Sequence, residues 1–355
     1  MIQRTASAIE TNMKQSTGRK LLFYVEQDYA FAILRPLQTE ALKRGHVVRW
    51  LVIGDASAEL LVANDASCTS AAEAVGFAPD AVFAPGDRIP SFIPGLKVQV
   101  FHGLNEDKRG NIYPERGLFD LYCTEGPGRT DMLAPLEKER TYFRVCETGW
   151  LKLDAILDRV RSDTSNDRPR ILYASTFTPR LSSAEVLHQE IERLARSSCW
   201  QWLVTLHPKI DPHTMSKYQA LQNDNLTYHG TDEVVNLLHQ ADVMVSDNSS
   251  ILQEFLLLGK PVVTFRNRDP QSCMIDIQEP AQLKGAIESA LNPSPQVLEA
   301  ISDYGTSITP YVDGKSSGRV LDAVDSMLDS GWQDRKPANF WRNWKMRREL
   351  GYYRF

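Results

Sequence analysis

The chain has 355 residues, of which 42% are hydrophobic and 24% are charged, as expected for a globular protein of about two domains. Its formal net charge of −5 excludes a general attraction to nucleic acid. No apolar run reaches the roughly 18 residues that a membrane-spanning helix needs, and five scattered cysteines favour a reducing, cytoplasmic location. Residues 1–19 are polar and are interpreted as a loose or disordered leader, not a secretory signal.

The first half of the chain alternates predicted strands and helices. Strands are predicted at residues 21–25, 46–53, 81–83, 98–101 and 119–123, and helices at 28–42 and 151–160. A strand–helix–strand start predicts a parallel sheet, and therefore an α/β, Rossmann-like N-terminal domain over residues 20–162. No GxGxxG turn follows the first strand, which argues against dinucleotide binding.

His102 follows one of these strands and is the first candidate catalytic residue. A histidine at the carboxyl end of a parallel strand lies where such sheets bind ligands, and neutral imidazole is a suitable general base. Gly103 lets a substrate approach the backbone, and Lys108 and Arg109 can counter an anionic acceptor. The alternative is a histidine that is simply hydrogen-bonded within a loop.

Residues 161–169 are polar and are interpreted as an interdomain linker, after which the alternation resumes. Strands are predicted at residues 171–174, 202–206, 226–228, 243–245 and 262–265, and helices at 231–240, 251–258, 279–291 and 318–328. A second Rossmann-like domain is therefore predicted over residues 168–330.

The ends of two strands in this half carry further candidates. Ser175 and Thr176 provide hydroxyls, and Arg180 provides a cation, which together can hold a phosphate. The alternative is a simple turn before a helix. His207 follows the next strand and is predicted to share the same crevice.

Residues 243–265 predict a strand, a polar turn, a helix and a second strand. The turn contains Asp247, Asn248, Ser249 and Ser250, and it lies at a helix N-terminus, where backbone N–H groups suit a phosphate. Glu254, one turn into the helix, can reach the hydroxyls of a ribose or another polyol. The alternative is a capped helix that binds nothing.

The tail, residues 331–355, combines aromatic and basic side chains. One interpretation is a segment at a membrane surface, and the other is a helix that packs across the two domains. Binding of single-stranded nucleic acid is a third, weaker alternative. HExxH, GxSxG, P-loop and CxxC motifs and carboxylate clusters are absent from the sequence, so no metal and no cofactor are predicted.

Six short motifs in one order resemble the CDP-glycerol glycerophosphotransferase family. They are Leu34-Arg35-Pro36-Leu37-Gln38, His102-Gly103 with Lys108, Thr148-Gly149 with Asp154, Leu172-Tyr173-Ala174-Ser175-Thr176, His207-Pro208, and Ser246-Asp247-Asn248-Ser249-Ser250 with Lys260-Pro261.

The resemblance implies a GT-B fold, in which two Rossmann-like domains with parallel sheets face a central cleft. It implies transfer of a polyol phosphate, such as glycerol phosphate, from a CDP-polyol to a hydroxyl of a growing cell-surface polymer or glycolipid, with release of CMP. It places the acceptor on the N-terminal domain and the donor on the C-terminal domain, and it makes the two histidines important for activity. The enzyme is then expected in the cytoplasm, either free or at the inner face of the cell membrane, and any attachment to that membrane falls to the basic tail.

Departures from the family pattern keep other functions open. Phe101 stands where the family usually has tryptophan, and Asn248 stands where it often has tyrosine. Residues 253–261 look equally like UDP-GlcNAc 2-epimerases and nucleotide-sugar glycosyltransferases, which use UDP- or CMP-linked sugars. A non-catalytic nucleotide-binding partner of a polymer-synthesis complex is the third hypothesis.

Overall fold

The computed structural model describes residues 18–54, 56–104, 117–158, 168–197, 199–230, 233–332 and 335–353. Within these residues the chain forms two parallel sheets of six strands each, with helices against both. The predicted α/β class with two parallel sheets is confirmed.

The first sheet and its helices form the N-terminal lobe. Its strands lie in the order β2-β1-β3-β4-β5-β6. They are β1 Lys20–Val25, β2 Val47–Val52, β3 Ala81–Ala84, β4 Leu96–Gln99, β5 Leu121–Thr124 and β6 Arg144–Glu147. The helices are α1 Tyr29–Lys43, α2 Ala71–Phe77, α3 Pro127–Arg140 and α4 Leu151–Leu157.

The second sheet and its helices form the C-terminal lobe. Its strands lie in the order β12-β11-β10-β7-β8-β9. They are β7 Arg170–Ser175, β8 Gln201–Leu206, β9 Leu226–Tyr228, β10 Val243–Ser246, β11 Val262–Phe265 and β12 Met274–Ile277. The helices are α5 Ala184–Ala195, α6 Pro212–Ala220, α7 Val234–Gln240, α8 Ile251–Leu256, α9 Leu283–Leu291 and α10 Pro295–Ile308.

Each sheet has one point at which the strand order reverses. In the first sheet β1 pairs with both β2 and β3, and in the second β7 pairs with both β8 and β10. Helices on either side of such a point diverge and leave a crevice at the carboxyl ends of the strands. Central strands such as β3 and β10 are largely apolar and fully buried, because helices cover both faces.

The last two helices return to the N-terminal lobe. Helix α11, Ser316–Asp329, packs against α1 and α4, and its first N–H groups donate to Asp154 at 3.0 and 2.6 Å. The tail then forms an ion pair between Lys336 and the buried Asp120 of the first lobe. Helix α12, Phe340–Glu349, follows it and contacts Ser91 through Asn343. The predicted end of the C-terminal domain at residue 330 stays a prediction, although helix α11, which precedes that residue, packs on the N-terminal lobe.

Several elements differ from the sequence prediction. Strands β6 and β12 were not predicted, because each has only four residues, which are partly buried and carry charged side chains. Helices α2, α3, α6 and α10 were also not predicted, and three of them begin at a proline. The helix predicted to end at residue 258 ends at Leu256. No helix within the described residues is long and apolar enough to cross a membrane.

Candidate active site

A cavity of about 490 Å³ lies at the carboxyl ends of β10 and β11. Its wall on the C-terminal lobe includes Asn248, Ser249, Ser250 and Arg268, and Leu104 of the N-terminal lobe completes it. The cavity therefore lies between the lobes, with both predicted serines at its edge. Helix α8 has only six residues, so the loop amides and side chains contribute more to this site than a helix dipole.

Asp247 is the buried centre of this region. Its carboxylate accepts hydrogen bonds from the Ser175 hydroxyl at 2.5 Å and the Thr176 N–H at 3.0 Å. It also accepts from the N–H and hydroxyl of Ser183 at 2.8 and 2.9 Å, and from the Asn248 N–H at 2.7 Å. Five donors satisfy a buried charge that would otherwise be strongly unfavourable. Asp247 thus fixes the loops after β7 and β10 to each other.

This network changes how the predicted phosphate-binding residues are understood. Ser175 is buried and directs its hydroxyl to Asp247, and Thr176 is also buried. Arg180 is exposed and is not part of the cavity wall. Asn248 donates to the carbonyl of Leu181 at 3.3 Å and accepts from the Arg268 N–H at 2.9 Å. Ser175 and Thr176 therefore position the cavity, whereas Asn248 and the serines at 249 and 250 line it.

Glu254 has a protein partner in the other lobe. The Lys152 ammonium donates to its two carboxylate oxygens at 2.7 and 2.6 Å, and both side chains are largely buried. The predicted contact of Glu254 with ligand hydroxyls therefore requires that Lys152 share or release this carboxylate.

His102 is oriented by its Nδ1 atom, which lies 2.9 Å from the Pro85 carbonyl oxygen. Because a carbonyl only accepts hydrogen bonds, Nδ1 carries the proton, and Nε2 of the neutral ring is the basic nitrogen. The imidazole also stacks on Tyr29, with ring centroids 4.3 Å apart. Leu104, two residues further along, lines the cavity between the lobes.

The backbone beside His102 is strained, and a buried arginine contacts it on both sides of the histidine. Phe101 has φ of 44°, which is rare for a bulky residue and typical of functional sites when it occurs. The Arg129 guanidinium lies 3.8 Å from the Phe101 ring centroid and donates to the Gly103 carbonyl at 2.9 Å. Arg129 is itself paired with Glu125 at 2.9 Å, and both are buried. Neither Glu125 nor Arg129 was predicted as a site residue from the sequence, and their spacing by four residues was the available signal.

Gly103 borders open space, since an added Cβ would meet no protein atom within 4 Å. Lys108 and Arg109, which were predicted to counter an anionic acceptor, lie outside the described residues.

His207 has the opposite tautomer to His102. Its Nδ1 accepts the Lys209 N–H at 3.0 Å, so Nε2 of the neutral ring carries the proton and is a donor. Partial burial, and then the Lys209 charge, lower the pKa of His207 and favour the neutral ring near pH 7. The residue is exposed at the end of β8, next to the β7 end that Asp247 holds. The neutral rings therefore present a basic nitrogen at His102 and an N–H donor at His207.

The two parallel sheets and the cavity between the lobes define a GT-B fold. Its solved structural neighbours include a candidate UDP-N-acetylglucosamine 2-epimerase from Listeria monocytogenes, at TM-score 0.65 and 15% identity over 88% of this chain and 97% of that one. They also include the wall teichoic acid polymerase TagF, at TM-score 0.59 and 14% identity over 89% of this chain and 90% of that one. At these identities the likeness concerns the fold.

Sequence similarity, unlike the fold alone, points to one family. A model described as CDP-Glycerol:Poly(glycerophosphate) glycerophosphotransferase matches residues 145–269, which run from β6 through β11 and include Asp247 and both serines of the cavity. This segment matches that family's model, and the resemblance found in the sequence is confirmed. A candidate 2-epimerase from Clostridium acetobutylicum is 23% identical over 127 residues. That match spans 35% of this chain and 33% of the relative's length.

Proposed function

We propose that this protein is a glycerophosphotransferase that moves a polyol phosphate from a CDP-activated donor to an acceptor hydroxyl and releases CMP. The observation that carries the proposal is the pair of histidines with opposite tautomers, one on each lobe. His207 and the cavity serines Ser249 and Ser250 fall within residues 145–269, which match the family, and Leu104, two residues after His102, lines the cavity. The acceptor is a cell-surface polymer or a lipid-linked glycan.

In this reaction the acceptor hydroxyl attacks the β-phosphorus of the donor. Its proton passes to Nε2 of His102, and the bond from the β-phosphorus to the bridging oxygen breaks. The bridging oxygen leaves on CMP, where Nε2–H of His207 donates a hydrogen bond to the departing phosphate. Ser249, Ser250 and Arg268 bind the diphosphate from the cavity wall.

Buried protein contacts determine how well this machinery is aligned. Asp247 fixes the loops that carry the serines, and Arg129 fixes the backbone on either side of His102. Neither residue needs to touch substrate for its loss to reduce turnover, because small displacements of reacting groups lower rates strongly. No group of three or more His, Cys, Asp or Glu side chains suited to a metal ion occurs among the described residues.

We infer that the tail attaches the enzyme to a lipid surface. Helix α12 packs on the N-terminal lobe through Asn343, Met346 and Arg347, which leaves a second face outward. That outward face carries Trp341, which is 77% exposed, together with Trp344, Lys345 and Arg348. Their spacing places all four side chains along one stripe of the helix. Exposed tryptophans among cations suit the interface of a membrane that contains anionic lipids.

A nucleotide-sugar enzyme is the second candidate, since the structural neighbours include 2-epimerases. A donor screen separates the two. The purified protein is incubated with CDP-glycerol, CDP-ribitol, CMP- and UDP-linked sugars, and released CMP and UDP are quantified with and without acceptor. Release of CMP from a CDP-polyol supports the proposal. Release of UDP, or UDP-sugar epimerisation, supports the second candidate, and binding without any turnover indicates a non-catalytic partner.

A further inference from the structure

A second cavity, of about 430 Å³, lies at the point of strand-order reversal in the N-terminal lobe. The residues at the ends of β1 and β3 line it, so we call it the β1–β3 cavity. Those that matter here are Tyr24, Glu26, Tyr29, Pro85, Asp87 and Arg88. A reversal point of this kind is where open α/β sheets bind ligands. The C-terminal lobe uses its own reversal point, at β7 and β10, to build the region around Asp247.

The polar side of the β1–β3 cavity centres on the carboxylate of Glu26. The Tyr24 hydroxyl donates to Oε1 at 2.9 Å, and an Arg88 nitrogen lies 3.5 Å from the same oxygen. Burial raises the pKa of Glu26, although Tyr24 and Arg88 partly counteract this. Arg88 also pairs with Glu349 of the tail helix, which holds its guanidinium from the other side.

The charges in the lining select against phosphate. Two carboxylates, Glu26 and Asp87, and a single guanidinium, that of Arg88, line the cavity, and the guanidinium is already paired with Glu26 and Glu349. A phosphate here would meet like charge, whereas carboxylates accept hydrogen bonds from hydroxyl groups. The Tyr29 ring adds an apolar wall for the C–H face of a polyol or sugar.

The β1–β3 cavity shares two residues with the support of His102. Tyr29 stacks on the imidazole, and the Pro85 carbonyl accepts its Nδ1 proton. A hydroxylated unit against Tyr29 therefore lies beside the proposed base. The donor cavity is lined mainly by the other lobe, so the two cavities supply the two partners of one transfer.

We propose that the β1–β3 cavity binds the uncharged, hydroxyl-bearing end unit of the acceptor, a polyol or a sugar residue, with Glu26 as the residue that recognises its hydroxyls. The proposal rests on the proposed function, because it identifies the bound unit as the acceptor. Glu26 acts in binding, and the phosphates of the acceptor chain lie outside this cavity.

Binding is tested without turnover. Saturation-transfer NMR is recorded for glycerol, ribitol and N-acetylglucosamine, and for sn-glycerol 3-phosphate as the charged probe, with CMP present to occupy the donor site. At least one uncharged probe is expected to bind, and Glu26→Gln is expected to weaken it by about tenfold or more, since a hydrogen bond to a charged group is lost. The matched control is Glu59→Gln, an exposed carboxylate on the same lobe, which should leave binding unchanged.

Turnover provides the second measurement, as CMP release from CDP-glycerol with the bound probe as acceptor. Glu26→Gln should raise the KM for the acceptor by a similar factor and leave the KM for the donor within about twofold. Preferred binding of the phosphorylated probe, or an unchanged Glu26→Gln variant that folds normally, overturns the proposal. Polyol binding that depends on Glu26, without any CMP release, keeps this cavity assignment and refutes the transferase function instead.

Discussion

Lys152 and Glu254 join the two lobes through a largely buried ion pair, in which the ammonium lies 2.7 and 2.6 Å from the carboxylate oxygens. Lys152 belongs to α4 and Glu254 to α8, so the pair connects the helix before the interlobe crossing with the helix behind the donor cavity. Removing one member of such a pair leaves the other charge buried without compensation, which is more harmful than removing both.

Lys152→Met is therefore expected to lower the free energy of unfolding by about 3 kcal/mol, measured by urea denaturation. The double variant Lys152→Met, Glu254→Leu should recover much of this loss, because apolar packing replaces the pair. Lys43→Met is the control, since Lys43 is 77% exposed beside Glu40 and should contribute less than about 1 kcal/mol. Equal losses in Lys152→Met and Lys43→Met would contradict a buried, lobe-joining role.

His102→Ala is expected to reduce kcat by about 100-fold or more, because the proton of the attacking hydroxyl then has no acceptor. The KM for CDP-glycerol should change little, since the donor is bound by the other lobe. His213→Ala on α6 is the matched control, as this histidine is exposed and lies outside both cavities. Wild-type turnover in His102→Ala would remove this residue from the mechanism.

Asp247→Asn is expected to lower the melting temperature and to raise the KM for the donor by about tenfold. The carboxylate accepts five hydrogen bonds, whereas the amide is neutral and its nitrogen donates hydrogen bonds instead of accepting them. Calorimetry and CDP-glycerol titration measure the two effects. The exposed Asp224→Asn should show neither. A destabilised variant with an unchanged donor KM would mean that the loops after β7 and β10 keep their positions without this carboxylate.

Asp120 is expected to titrate near pH 6, because burial raises the pKa of its carboxyl from 3.8 to about 6 despite the Lys336 charge. Between these pH values the folded protein holds a proton that the unfolded chain has released. The associated stability is therefore full below pH 3.8 and is lost as the pH rises through about 6. Carboxyl carbon NMR should give the midpoint, and Asp120→Asn should remove this part of the pH dependence. A midpoint near 4 would be inconsistent with such burial.

The outward face of α12 is expected to bind vesicles that contain phosphatidylglycerol more strongly than vesicles of phosphatidylcholine alone. Replacing Trp341 and Trp344 together by serine should weaken binding by about tenfold or more in co-sedimentation, since their insertion is lost. Leu298→Ser, an exposed apolar residue on α10, is the control. Equal binding by the double variant would show that the tail serves only to pack on the N-terminal lobe.

Local pattern was sufficient to predict the parallel sheets, because buried parallel strands are short apolar runs followed by polar turns, as at β7 and β10. It also placed both histidines at strand ends, and Ser249 and Ser250 in the cavity wall. These predictions depend only on residues that are close together in the sequence.

What the sequence could not provide depends on contacts between distant segments. Nothing near Glu254 indicates that Lys152, 102 residues earlier, occupies its carboxylate. Ser175 has the same chemistry whether it faces a phosphate or Asp247, and only the fold decides. Glu26 lies in a turn without a recognisable motif. Only the fold brings Arg88, at the end of β3, beside its carboxylate.

Helix α11 gives the molecule a property that follows from chain connectivity alone. Because it lies on α1 and α4 after the whole second sheet has been completed, the polypeptide passes between the lobes twice. A single protease cut at either passage would leave the lobes covalently tethered, and swinging them apart would bend two connections at once.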